Sequence, residues 1–486
     1  MMGADWRRRT AGRALWASAA LLLLAPSAPR AQAADAMVLH DSDGLVVRGH
    51  FQAGVNAVAE QNLFWNMSKA LAPTTRFDAD KEWLELYAKP GISFYKQGGG
   101  GTTLYGMVSG VASATVGTDA FDTGDTGRVT LEEGFIGVHT RSAGGLTFDL
   151  SVGPREYSAG TGMLISNGGS SGFDRGALKL GPHRAWEMAM LGKVGYGKFT
   201  GTGFYVDANE QSGGDSGTKI AGVDLRYDGQ AGTFAGMSVG QVLQSGSPYP
   251  KAAANGIGAP SILPGARDGL KFVSLYGRAY PFSGAFENAF IAGDLAIERN
   301  NDIDLKAWAG RIQVGYTFAS APWSPTLSYA YQTFSGDDPS TTRLERFDPL
   351  YYEGSPSSWS TGSKSAMVFI NSNVNSHQLT LRTQPTPRDT LTLRYAHISA
   401  NELRSPIQFG QATRVEIVDG VVNPIAGVTR AHLSDDVFLE YNRALNRNTY
   451  LTAGFSVSVP GAGVDSVVND DAPIWTGGFV NIVVNF

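Results

Sequence analysis

The sequence predicts an all-β fold, a transmembrane antiparallel β-barrel of about 18 strands. Three observations carry this expectation. Segments that alternate apolar with small or polar residues recur along the chain, and the last of them runs to a C-terminal phenylalanine. Past residue 33, no apolar run reaches the roughly 20 residues that a membrane-crossing helix needs. A chain that enters a bilayer without such helices must close into a barrel, because only there is every backbone donor and acceptor paired away from water.

At the N-terminus, Arg7, Arg8, Arg9 and Arg13 precede an apolar run from Ala14 to Ala25 and then Ala31-Gln32-Ala33. This is the layout of a cleaved secretory signal peptide, so the expected organisation is residues 1–33 as signal and 34–486 as barrel. Removing the signal takes five arginines and one aspartate from totals of 39 basic and 44 acidic side chains, leaving a net charge of −9. That charge excludes a nucleic-acid partner. The absence of cysteine excludes thiol catalysis, thiolate metal sites and disulfides. Charged residues are sparse at 17%, glycine is abundant at 61, and 18 Tyr, 24 Phe and 9 Trp supply rings for membrane interfaces.

The strands are read from their alternation. Leu146, Phe148, Leu150 and Val152 alternate with Thr147, Asp149, Ser151 and Gly153, and Val223, Leu225 and Tyr227 with Asp224, Arg226 and Asp228. The same pattern places Ile312, Val314, Tyr316 and Phe318 opposite Arg311, Gln313, Gly315 and Thr317. It recurs at Leu391 to Ala396 and at Leu451 to Val457. Each segment presents one apolar face to lipid and one polar face to the lumen. At the end, Val480, Ile482, Val484 and Phe486 hold every second position, which resembles the assembly signal of bacterial outer-membrane barrels. The expected location is therefore the bacterial outer membrane, with the lipid bilayer and the assembly machinery as partners. Ser142-Ala143-Gly144-Gly145 reads as a tight reversal, whereas 60–82, 156–184, 244–268 and 334–364 read as long polar loops. A barrel of this width cannot fill its interior with strand side chains, so water or inserted loops must occupy it.

No motif carries enzymatic chemistry. Gly168-Gly169-Ser170-Ser171-Gly172 has the spacing of a nucleophile elbow but no helix pattern after it, and it reads as a loop. Asp41-Ser42-Asp43-Gly44 lacks the later glutamate of a calcium loop and reads as a solvated turn. The seven histidines show no i, i+4 pairing, so no catalytic residue, metal site or cofactor is expected. By parity, Arg155, Arg226, Arg311, Arg382 and Arg394 point into the lumen. Two readings stand open: a basic ring that lowers the barrier for anions, or arginines neutralised by lumen acids such as Asp149, Asp224 and Glu440.

The chain also resembles the alginate-export family of outer-membrane channels. The resemblance is carried by Gly153-Pro154-Arg155-Glu156-Tyr157 with Gly160, Gly162, Leu164 and Arg175. It continues in Phe347-Asp348-Pro349-Leu350-Tyr351-Tyr352, Gly354, Trp359, Gly362, Asn371-Ser372-Asn373 and His377. Further on come Leu391-Thr392-Leu393-Arg394-Tyr395, Leu439-Glu440-Tyr441 and Pro460-Gly461. It implies an 18-stranded monomeric barrel with a basic conduit for an anionic polysaccharide, and it adds Arg175 to the candidate path beside Arg155, Arg382 and Arg394. Pro154 and Glu156 depart from the family's glycine-arginine-glutamine pattern, and Glu156 sets an acid beside the proposed anion site. The expected function is thus a channel, not an enzyme, for an anionic polysaccharide or a small polar solute. An outer-membrane lipid hydrolase and a plugged structural or adhesion barrel are the alternatives.

Overall fold

The structure, a computed structural model, describes residues 37–67, 77–211, 213–258, 260–353, 361, 369–407, 416–418, 421–423, 427–468 and 471–486. The expected signal peptide, residues 1–33, lies outside the described residues, as do Gly354, Trp359 and Gly362.

The strands in chain order begin with β1 (Val38–Ser42), β2 (Leu45–Gln61), β3 (Lys81–Gln97), β4 (Thr102–Thr118), β5 (Gly124–Arg141) and β6 (Thr147–Arg155). They continue with β7 (Trp186–Tyr196), β8 (Phe199–Asp207), β9 (Lys219–Asp228), β10 (Phe234–Gln244), β11 (Tyr249–Lys251) and β12 (Ser261–Leu263). Next are β13 (Lys271–Ala279), β14 (Ala289–Asn300), β15 (Leu305–Thr317), β16 (Thr326–Phe334), β17 (Val374–Thr386) and β18 (Asp389–Ala400). The last are β19 (Glu416–Val418), β20 (Val421–Asn423), β21 (His432–Ala444), β22 (Thr449–Pro460) and β23 (Trp475–Asn485), with one short helix, α1 (Ala462–Val468), before β23.

Every pairing between strands of the main sheet is antiparallel. β10 passes directly to β13, β18 passes to β21, and β23 returns to β2 from Gln52↔Asn485 to Gln61↔Thr476. The result is a closed 18-strand antiparallel barrel. β11–β12 and β19–β20 are separate hairpins within loops. β1 extends the wall along the stretch of β2 that β23 does not reach, pairing Ser42 with Leu45 through the turn at Asp43 and Gly44. That turn is the segment read from sequence as solvated rather than calcium-binding.

The alternation read from sequence is the alternation of the wall. Phe148, Leu150, Val152, Val223, Leu225, Ile312, Val314, Leu393 and Phe455 all lie on the outer surface, where lipid rather than protein covers them. At the end of the barrel with short connections, such as 142–146, 197–198 and 387–388, Tyr196, Phe199, Phe282, Phe286, Phe318, Trp323 and Phe486 project outward as an aromatic girdle. Short turns mark the periplasmic end and long loops the cell exterior. The long connections 62–80, 156–185, 245–270, 335–373, 401–431 and 461–474 therefore gather at the outside. Four of them match the expected loops within a few residues or, for 335–373, extend past them.

The described parts of those loops fold inward. The buried apolar cluster therefore lies inside the outer half of the barrel, where Trp65, Phe369 and Trp475 pack under the loops, with 5.4 Å between the Trp65 and Trp475 ring centroids.

Candidate functional site

The inner face of the wall carries the charge. On β6, Thr147, Asp149, Ser151, Gly153 and Arg155 share the inward parity, and the Arg155 guanidinium lies 4.2 Å above the ring of Phe135 on β5. On β9, Arg226 has the same relation to Phe234 at 4.4 Å and also pairs with Asp228 at 2.9 Å. Arg278 of β13, not singled out from sequence, repeats the arrangement over Phe290 at 4.0 Å and donates to the Tyr280 hydroxyl at 2.9 Å. Extending the inward parity of Phe272, Ser274 and Tyr276 by one step would have reached it.

Arg311 and Arg394 sit at mid-wall. Arg311 is bound to Asp294 at 3.1 Å. Arg394 is buried and near enough to Glu440 and Arg311 to feel both charges, and its Nε and Nη1 have no hydrogen-bond partner among the described residues. Arg382 has the inward parity of β17 nearer the periplasmic end and is exposed. No carboxylate lies within ion-pair distance of Arg155, Arg278, Arg382 or Arg394 among the described residues. Glu156, the acid beside Arg155, is held by Lys89 at 3.5 Å, together with Glu133 at 3.3 Å and Glu132 at 3.8 Å. Two consecutive glutamates reach one lysine because the β4–β5 register shifts between Ser109 and Gly110, a bulge that turns both Glu132 and Glu133 inward.

Arg175 has a different setting. It lies in the inward loop 156–185 and is 7% exposed. Its guanidinium donates to the carbonyls of Ser170, Asn209 and Glu210 and to Asn209 Oδ1, at 2.7–3.1 Å. Four bonds to loop atoms make it a fastener of that loop. The same loop crosses the barrel. Lys179 Nζ reaches Glu60 of β2 at 2.5 Å, the Lys179 and Leu180 amides donate to Glu85 of β3, and Thr161 bonds Asp294 of β14 on the far side. Gly176 presses against β4 so closely that a Cβ there would lie 2.7 Å from backbone atoms of Ala114 and Thr115. A second inward loop meets the first where Tyr351 N donates to Leu164 O at 2.9 Å and Ser166 N to Tyr351 O at 2.8 Å.

Many of the residues that carried the family resemblance are these fasteners. Asp348 holds Arg267 through two bonds of 2.7 and 3.0 Å, and its amide donates to Glu298. Asn373 Nδ2 donates to the carbonyls of Glu402 and Ser405, each at 3.1 Å. Burial works against the Arg267 charge, but Asp348, together with Tyr351 and Glu210, raises the guanidinium above its ordinary range. Burial lowers Arg346. In the turn after β4, burial pushes the Asp119 carboxyl up to about 6, against the Phe121 and Thr123 amides that stabilise its charged form.

Ser113, His183 and Glu132 line up as a hydrolytic trio would, with Ser113 Oγ 3.0 Å from His183 Nε2 and His183 Nδ1 3.4 Å from Glu132. All three are buried on the inner side of the wall, and Ser113 Oγ donates to Arg175 O at 2.6 Å. A nucleophile needs a reacting carbon beside it. Here the Ser113 hydroxyl is turned to the loop carbonyl of Arg175, so the trio ties the loop to the wall.

No curated protein matches the chain. Among solved structures, OccK2 (OpdF) of Pseudomonas aeruginosa aligns with TM-score 0.47 at 11% identity, covering 90% of this chain and 97% of its own. OpdK of Pseudomonas aeruginosa, solved with vanillate, aligns at 0.49 and 9% identity, with 90% and 98% covered. OmpF of Salmonella typhi, solved with daunomycin, aligns at 0.40 and 11%, with 92% and 99% covered. The family model described as alginate export matches residues 273–472, from the middle barrel strands to the segment before β23, so over that stretch the chain is similar to the alginate-export family.

Proposed function

We propose that this outer-membrane channel passes an anionic polar solute, in the first place an anionic polysaccharide of the alginate kind, by diffusion along inward arginines and past the inserted loops. The observation that carries the reading is the state of Arg155 and Arg278. Each guanidinium is held flat by an aromatic ring and a hydroxyl, with no carboxylate in ion-pair range among the described residues. A cation fixed by a ring keeps its charge available, whereas one locked to a carboxylate is neutralised. Lys193, Arg226 and Arg382 add positive charge toward the periplasmic mouth, against Asp149 and Asp228. Arg311 and Arg175 contribute less on this reading, since one is ion-paired and the other is engaged by the loop.

The test is single-channel recording in planar bilayers under a salt gradient. The native barrel is expected to prefer anions, and the double variant Arg155→Glu with Arg278→Glu to shift the reversal potential toward cations. Short uronate oligomers added at the periplasmic side are expected to interrupt the current of the native channel and not that of the variant. A native channel that prefers cations, or a variant with unchanged selectivity, would remove the anion path.

A further inference from the structure

On the outer surface of the barrel, three side chains converge without any role in the lumen. His397 of β18 stands directly opposite Asp435 of β21, with His397 Nδ1 2.9 Å from Asp435 Oδ1. His432 of β21 approaches the other oxygen, with its Nε2 2.9 Å from Asp435 Oδ2. The two imidazoles stack at 4.7 Å between centroids, and the three donor atoms lie within 4.8 Å of one another. Three residues apart on a regular strand, His432 and Asp435 would face opposite sides of the wall. They share the outer side because the β18–β21 register shifts between Ile398 and Ser399. Ile398 pairs with Ser434 and Ser399 with His432, which leaves Leu433 as the extra residue of a bulge.

From this geometry we infer that His397, His432 and Asp435 bind a divalent transition metal, Zn2+ by preference, at the outer rim of the barrel. Two imidazoles and a carboxylate are the donor set that suits zinc over magnesium or calcium. Donors of a tetrahedral zinc, at about 2.0–2.1 Å from the ion, stand roughly 3.4 Å apart, so only small side-chain movements separate the observed positions from a bound ion. His432 Nε2 is shielded from solvent and forms no hydrogen bond despite its 2.9 Å approach to Asp435. The Tyr395 hydroxyl donates to Asp435 Oδ1 at 2.7 Å, the supporting contact that orients a ligating carboxylate. The histidine and aspartate side chains are 33–40% exposed, which leaves a path for the ion and a fourth position for water. Such an ion would staple β18 to β21, the two strands that flank loop 401–431.

The test titrates Zn2+ alone into tag-free, detergent-folded chain stripped with chelator, read by competition with a chromogenic chelator and by the visible bands of substituted Co2+. One saturable equivalent per chain is expected. Affinity is expected to fall more than about 10-fold in His432→Ala and Asp435→Asn, and by about 10-fold in Tyr395→Phe, where only a supporting contact is lost. His139→Ala, which removes the histidine–aspartate pair with Asp149 elsewhere in the barrel, is expected to bind as the native chain does. Heat-modifiable mobility on gels checks that each variant is folded. Absence of a saturable equivalent in the native chain overturns the site, as does unchanged affinity in folded His432→Ala or Asp435→Asn.

Discussion

At the scale of single residues, burial and hydrogen bonding set which charges matter. Asp119 accepts the Phe121 and Thr123 amides at 2.9 and 3.2 Å through Oδ1, while Oδ2 is buried without a hydrogen-bond partner. Its pKa of about 6 follows from that half-satisfied burial. An acid whose folded pKa is raised binds its proton more tightly folded than unfolded. Its contribution to stability is therefore full below the ordinary carboxylate range and is lost as pH climbs to about 6. Asparagine in its place keeps the acceptor for both amides and cannot ionise. The native barrel is expected to lose roughly 1–3 kcal/mol relative to Asp119→Asn between about pH 4 and pH 7. Guanidinium unfolding midpoints of detergent-folded protein at the two pH values measure this, and parallel pH profiles for the two chains would contradict it.

At the scale of elements, the inward loop 156–185 is bound to opposite walls of the lumen, so its hold on the wall is expected to set the conductance. Gly176 has φ +67° and touches β4, while Gly181 of the same loop has φ +56° with open space around it. A valine at either position meets the same left-handed strain, about 1–2 kcal/mol, but only the one at 176 collides with the wall. Gly176→Val is expected to lift the loop and raise single-channel conductance severalfold, and Gly181→Val to leave it near the native value. Equal conductance in both variants would show that contact with β4 does not hold the loop in the lumen. The sequence made much of this legible. Alternation assigned the wall, its two faces and the parity of Arg226, Arg311, Arg382 and Arg394, because side chains in a strand repeat every second residue. Glycine-rich polar stretches located the loops. Two things stayed hidden. Bulges reset the parity, so Glu132 turns inward and His432 outward against simple counting. The partners of loop residues are set by three-dimensional closure, so nothing local to Lys179 announces Glu60, which is 119 positions away.

At the scale of the whole molecule, the barrel seam reaches Phe486. Phe486 N donates to Phe51 O at 2.8 Å and Phe51 N to Phe486 O at 3.1 Å, extending the β23–β2 seam that turns a sheet into a barrel. The ring itself points outward at the periplasmic rim and is 45% exposed, so it adds little to the seam. Backbone and side chain therefore separate cleanly. Phe486→Ala keeps both closing bonds and removes only the aromatic group that the assembly machinery is expected to read. Refolding of the purified variant into detergent or liposomes is expected to match the native chain in yield and in heat-modifiable mobility. In cells, the folded fraction in the outer membrane is expected to fall severalfold if assembly there depends on recognition of the terminal aromatic. Comparable losses in both settings would mean that the ring stabilises the barrel itself, and undiminished assembly in cells would mean that recognition rests on Val480, Ile482 and Val484 instead.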